Sequence, residues 1–306
     1  MRPSATSERL RTELCGLELR NPVIAASGSC GYGVELADLV DWSQVGGLVL
    51  KGLSPEPMQG NPPPRLLETP CGMLNSVGLQ NVGVRAFIAE KLPAVRRLPT
   101  VVLANVFGSQ TEDYVEVIRA LEQAGGLDGY ELNVSCPNTK KGGMYFGSDP
   151  GLLSEVVSAA RQATSRPLIV KLSPNVADIK PLARAAEEAG ADALSLINTL
   201  RGLAIDARRR RPRLGAGFGG LSGPAIKPVA LRFVYEVSQV VRIPVIGIGG
   251  ISNGEDAAEF LLAGARAVQV GTATFWDPVA PVRIARELDA FLLEEGIPHV
   301  SSLYGA

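Results

Sequence analysis

Only one histidine, His299, occurs among the 306 residues, and it lies near the C-terminus. Histidine-based acid–base catalysis and histidine-ligated metal centres are thereby close to excluded. Proton chemistry must fall on Cys, Lys, Asp, Glu, Ser or Tyr. Cysteine is also scarce: Cys15, Cys30, Cys71 and Cys136 are the only four. They form no CxxC pair and no zinc or iron–sulfur spacing, so no metal and no disulfide framework is expected. Reduced thiols fit a cytoplasmic location. No run of about 18 apolar residues exists, which argues against a membrane span, and Met1–Arg11 lacks an apolar signal core. The formal net charge of -1 draws the chain to neither nucleic acid nor an acidic membrane surface.

What is present is apolar bulk: 46% hydrophobic against 20% charged residues, enough for a large core. No linker or composition break appears, so residues 1–306 are expected to form a single domain. Eight short apolar runs recur between turn residues: Pro22–Ser27, Gly47–Lys51, Thr100–Val106, Gly129–Ser135, Pro167–Leu172, Ala193–Asn198, Ile243–Gly247 and Ala267–Val270. Continuous rather than alternating runs suit parallel strands buried on both faces. Helical periodicity separates them at Thr111–Ala124, Pro150–Ala163, Val176–Ala189, Pro224–Val241, Ser252–Ala263 and Pro278–Glu295. Gly190, Gly264 and Gly296 stand where left-handed caps belong. Strand–helix alternation eight times over predicts an α/β fold, the (β/α)8 barrel. An open doubly wound sheet is disfavoured because no GxGxxG follows the first strand. Leu10–Leu19, with a turn at Cys15-Gly16, predicts an N-terminal hairpin that plugs the barrel's bottom.

Three connections exceed a plain turn: Leu53–Asn81, Pro137–Asp149 and Thr199–Gly223. Long loops on one rim of a barrel build or cover a site. The strand C-termini, where barrel active sites sit, gather polar and small residues: Ser27, Lys51, Asn105, Asn133, Lys171, Asn198-Thr199, Gly249-Gly250 and Gly271-Thr272. Glycines after strands seven and eight expose backbone N–H groups and predict a phosphate cradle, with plain tight turns as the alternative. Lys51 and Lys171, each closing an apolar run, read as cations facing an anionic group or as lysines reaching the rim. Asn75, Asn133, Asn138 and Asn198 offer donors and acceptors suited to a flat heterocycle with amide-like edges. Cys136, between Ser135 and Pro137, is the best base candidate, since an ordinary thiol titrates near about 8.5. Cys15, Cys30 and Cys71 read as structural. Arg208–Arg211 reads as a solvated basic loop, or as a contact for an acidic partner.

The segments NPVIAASG (Asn21–Gly28), NSVGLQN (Asn75–Asn81), ELNVSCPN (Glu131–Asn138), VKLSPN (Val170–Asn175), INT (Ile197–Thr199), GGLSGPAIKP (Gly219–Pro228), IGGI (Ile248–Ile251) and VGTA (Val270–Ala273) resemble the class 1 dihydroorotate dehydrogenases across nearly the whole chain. That resemblance implies oxidation of dihydroorotate to orotate in pyrimidine biosynthesis, with one non-covalent FMN per chain. It implies FMN contacts at Ser27, Lys51, Gly52, Asn105, Asn133, Lys171, Ile197, Gly223, Gly249, Gly250, Gly271 and Thr272. It implies substrate contacts at Lys51, Asn75, Ser76, Val77, Gly78, Leu79, Asn133, Asn138, Asn198 and Thr199. Cys136 matches the family's catalytic base, and the loop Pro137–Asp149 would close over it. Class 2 members carry serine there and a membrane helix, neither of which is seen here.

GLQN (Gly78–Asn81) and KLSPN (Lys171–Asn175) resemble the 1B subgroup. A separate subunit carrying FAD and a [2Fe-2S] cluster would then pass electrons to NAD, with a homodimer core inside a heterotetramer. A fumarate-linked 1A homodimer, a uracil-type or tRNA-modifying flavin barrel, and a non-catalytic flavin-binding assembly subunit are the alternatives.

Overall fold

A computed structural model describes residues 7–135, 137–138 and 144–305, with the backbone alone for Pro137, Asn138, Met144 and Tyr145. Eight strands close into a parallel barrel: β1 (Val23–Ala25), β2 (Gly47–Val49), β3 (Val101–Val106), β4 (Gly129–Asn133), β5 (Leu168–Leu172), β6 (Ala193–Leu196), β7 (Val245–Ile248) and β8 (Ala265–Val270), with β8 pairing back onto β1. Each lies within one of the eight apolar runs or within two residues of its edge. The (β/α)8 expectation is met.

Alternation along each strand sorts the interior into layers. Ile24, Val49, Leu103, Ile169, Ala193, Ile246 and Ala267 form an apolar cluster inside the barrel. Two residues further along the strands, the same inward parity brings Lys51, Asn105, Glu131, Lys171, Ser195 and Gln269. The lower layer packs; the next one is mostly polar, with Ala26 and Ile248 at the same step from Ile24 and Ile246.

The N-terminal hairpin pairs Thr12–Leu14 with Leu17–Leu19. Cys15 (φ 53°) and Gly16 (φ 81°) occupy its turn, the left-handed pair that matches a two-residue hairpin's twist. Leu14 and Leu19 pack against the lower interior cluster, and the Cys15 thiol donates to the Asp192 carbonyl just before β6 at 3.2 Å. The hairpin is the bottom plug.

Helices Thr111–Ala124 and Pro150–Ala163 match their expected ranges. Gln110 and Asp113 form a capping box on the first, a device worth about 1 kcal/mol. The other four helices are shorter than their periodicity suggests, two of them by three residues or more at the N-terminus. The helix expected from Val176 begins at Lys180, with Pro181 in its first turn, and that expected from Pro224 is a 3-10 turn before Lys227–Ser238. Proline's fixed φ and missing N–H favour a helix start at those points. Eightfold alternation fails at the first crossover, where only 3-10 turns at Val34–Leu36 and Trp42–Gln44 join β1 to β2.

The long connections after β2 and β6 are not irregular. Leu66–Thr69, Gly72–Asn75, Phe218–Ser222 and Leu200–Leu203 pair in that order into one antiparallel sheet over the barrel mouth. Among the described residues no helix is long and apolar enough to cross a membrane.

Candidate active site

A cleft of about 570 Å³ opens at the C-terminal ends of the strands, beneath that sheet. It is lined by Ser27, Lys51, Gly52, Asn75, Ser76, Val77, Gly78, Leu79, Asn105, Asn133, Lys171, Ile197, Asn198, Thr199, Gly223, Gly249, Gly250, Gly271 and Thr272. The sequence-derived candidates therefore converge on one cavity, with two exceptions. Cys136 lies outside the described residues, as do the side chain of Asn138 and residues 139–143 of the loop expected to cover the thiol.

The floor is built around Glu131, whose side chain is 0% exposed. Its Oε1 accepts from Asn105 Nδ2 at 2.8 Å, and its Oε2 accepts from Ser195 Oγ at 2.9 Å and Gln269 Nε2 at 2.7 Å. Lys171 Nζ stands 3.7 Å from Oε1. One carboxylate on β4 thus ties together β3, β5, β6 and β8. Sequence reasoning passed over Glu131 and Gln269. A Glu and a Gln at inward positions of otherwise apolar strands, in step with Asn105 and Lys171, were the available signal.

On one wall Ser27 Oγ donates to the Leu50 carbonyl at 2.7 Å, joining the ends of β1 and β2. Lys51 follows. Burial pushes its amine below the ordinary 10.5, Arg65 adds to the depression, and Glu35 opposes it. No ion pair to Lys51 is found among the described residues, so a carboxylate arriving in the cleft meets a cation that lacks one. Gly52 allows close packing: a Cβ there would come 2.9 Å from Asn105 Oδ1 and 2.9 Å from the Phe107 ring.

Opposite, Asn133 Oδ1 accepts from Ser135 N at 3.2 Å and Asn198 Nδ2 at 3.3 Å, and Asn198 Nδ2 also donates to Ser135 Oγ at 2.9 Å. The mouth sheet delivers Asn75, whose Nδ2 donates to the Gly220 carbonyl at 3.3 Å. A Cβ at Gly220 would meet Thr199 Oγ1 at 2.1 Å, so glycine is what lets the sheet rest on Thr199. Gly78 (φ 76°) and Leu79 (φ 58°) turn the chain back at the rim.

At the far end, Gly223, Gly249 and Gly250 have φ of 94°, 132° and 79°. A Cβ on Gly250 would lie 2.9 Å from the Gly223 carbonyl. Lys227 beside them is tied to Asp256 at 2.6 Å and Glu259 at 3.0 Å. The cradle therefore offers backbone N–H groups at turns rather than that ammonium.

Two cleft-lining oxygens, Ser76 Oγ and Gln269 Oε1, are buried without a hydrogen-bond partner among the described residues. Buried polar atoms are ordinarily paired, so a polar ligand fits here. Glycine turns at one end, amides along the walls and two amines suit a flat, amide-edged, phosphate-bearing molecule beside a small carboxylate. The thiols of Cys15 and Cys30 do not compete for a role here. Burial first, then Asp192 and Glu13, pushes Cys15 up to about 12, and burial raises Cys30. His299 is engaged with Ser301 Oγ at 2.8 Å near the C-terminus, and among the described residues no cluster of metal-binding side chains occurs.

Residues 9–292 match the family model described as dihydroorotate dehydrogenase. A protein of Solibacter usitatus named putative dihydroorotate dehydrogenase A (fumarate) is 68% identical over 97% of this chain and 98% of its own length. A protein of Geobacter sp. strain M21 named dihydroorotate dehydrogenase B (NAD(+)), catalytic subunit, is 57% identical over 96% of each chain. A Pelobacter propionicus protein of that same name is 56% identical over 100% of this chain and 99% of its own.

Proposed function

The chain belongs to the dihydroorotate dehydrogenase family, and on that premise we propose that it oxidises dihydroorotate to orotate in pyrimidine biosynthesis, holding one non-covalent FMN. The observation that carries this reading is the single cleft in which a glycine cradle, two lysines and four strand-end amides converge. Backbone N–H groups around Gly223, Gly249, Gly250, Gly271 and Thr272 would hold the phosphate of FMN, and Ser27, Gly52, Asn105, Lys171 and Ile197 would hold its ring system.

Lys51 pairs with the substrate carboxylate. Asn75, Asn133 and Asn198, with Asn138 and Thr199, hold the amide-like edges of the pyrimidine ring, and the Asn75–Leu79 turn covers it. Cys136, as thiolate, takes the proton from ring carbon 5 and a carbon–carbon double bond forms to carbon 6. When bound, FMN supplies the two-electron acceptor for the hydride leaving carbon 6. Lys171 offsets the negative charge that accumulates beside it.

The electrons then leave to a separate subunit that carries FAD and a [2Fe-2S] cluster and reduces NAD, the assembly being a heterotetramer on a homodimer core. GLQN and KLSPN support this, together with the catalytic-subunit names of relatives at 56–57% identity. A fumarate-reducing homodimer is the second reading, favoured by the name of the 68% identical relative. The deciding comparison is steady-state turnover of dihydroorotate with NAD, fumarate or a dye as acceptor, with and without the electron-transfer subunit. NAD reduction only in the partner's presence is expected. Brisk fumarate reduction by the lone chain would replace the NAD-linked reading, and turnover of dihydrouracil in preference to dihydroorotate would replace the substrate.

A further inference from the structure

Glu131 is an expensive residue to place in a barrel interior. Taking a carboxylate out of water costs several kcal/mol unless every lone pair is engaged, and aliphatic side chains fill the layer below without that cost. Its position is nevertheless fully specified. Among the described residues each oxygen faces only donors: the Asn105 amide and the Lys171 ammonium on Oε1, the Ser195 hydroxyl and the Gln269 amide on Oε2.

The consequence lies in what those donors have left. A side-chain amide carries an N–H₂ end and a C=O end. A carboxylate repels the C=O end and attracts the N–H₂ end, so Glu131 decides which way each amide faces. Gln269 donates Nε2 to Glu131, and its Oε1 is left buried and without a partner among the described residues, in a residue that lines the cleft. Asn105 spends Nδ2 likewise, and its Oδ1 lies beside the cleft-lining Gly52. Ser195, the remaining hydrogen-bonding partner, does not line the cleft.

We propose that Glu131 is a positioning residue of this site: its carboxylate locks the Asn105 and Gln269 amides with their carbonyl oxygens free to accept from the N–H and O–H groups of the bound flavin. This rests on the FMN reading above. The flavin's flat ring has N–H as well as C=O positions, and an inverted amide would set donor against donor. Replacing the carboxylate by an amide should therefore act on cofactor binding through Gln269 and Asn105. Glu131→Gln brings an N–H₂ end of its own, so at least one neighbouring amide must turn over.

The test is titration of the apoprotein with FMN, read by quenching of flavin fluorescence, beside urea unfolding of each apoprotein. Glu131→Gln and Gln269→Leu should each raise the FMN Kd about tenfold or more, the effect of leaving a buried polar group unmatched. Ser195→Ala removes a donor to Glu131 that does not reach the cleft, and should leave the Kd within about twofold of native. Should Glu131→Gln not fold, the contrast between Gln269→Leu and Ser195→Ala decides alone. Native-like FMN affinity in Gln269→Leu, or an equal loss in Ser195→Ala, would overturn the positioning role. Native protein that takes up no FMN would instead overturn the functional reading on which it rests.

Discussion

Lys171 Nζ and Glu131 Oε1 face each other 3.7 Å apart on the adjacent strands β5 and β4, both side chains nearly closed to solvent. The pair couples the cleft to the barrel's own stability. Removing the cation leaves a buried carboxylate with only neutral donors. Lys171→Ala should lower the stability of the apoprotein by about 3 kcal/mol, the usual cost of breaking a buried pair from one side. The double variant Lys171→Met with Glu131→Gln should recover part of it. Urea unfolding measures both; a Lys171→Ala protein as stable as native would mean the pair is not coupled.

Lys51 should behave oppositely. Its amine is depressed chiefly by burial, with Arg65 adding and Glu35 opposing. A cation whose folded pKa is lowered destabilises the fold at pH values below that pKa. The penalty is relieved as pH climbs from the depressed value to the ordinary 10.5. Lys51→Met should thus make the ligand-free protein more stable at pH 7, with the advantage shrinking as the pH approaches that ordinary value. Orotate binding should weaken about tenfold or more from loss of a charge-assisted contact. Urea midpoints across pH and an orotate titration check the two halves.

The cradle makes a steric prediction. Gly250 combines a left-handed φ with a neighbouring carbonyl 2.9 Å from where a Cβ would sit. Gly250→Ala should cost about 1–3 kcal/mol of stability and weaken FMN binding, because the turn must shift. Gly296→Ala, where a Cβ meets nothing within 4 Å, shares the positive φ but should cost stability alone. Thermal unfolding and FMN titration of the two variants separate strain from cradle geometry.

The barrel strands were legible because each is a short apolar run buried on both faces, and the cleft residues because they cluster at strand ends. The mouth sheet was not. Gly72–Asn75 pairs with Phe218–Ser222 across well over a hundred residues, and glycines such as Gly202, Gly219 and Gly220 give its strands no alternating pattern. The first crossover read as another helical unit from the repeat of the pattern, although no periodic segment supports one between Ser27 and Gly47. Glu131 was visible inside its motif, yet its role depends on parity shared by strands distant in sequence. That parity becomes a contact only when the barrel closes.

The most direct test of the account is anaerobic rapid mixing of the FMN-loaded protein with dihydroorotate, following loss of flavin absorbance and formation of orotate. Native protein should bleach and yield one orotate per flavin. Cys136→Ala should retain FMN but lose the reaction at neutral pH, and Cys136→Ser should regain part of it as pH rises, since a hydroxyl is a much weaker acid than a thiol. Near-native bleaching by Cys136→Ala would remove the thiol from the mechanism, and no bleaching of the native protein by dihydroorotate would contradict the account as a whole.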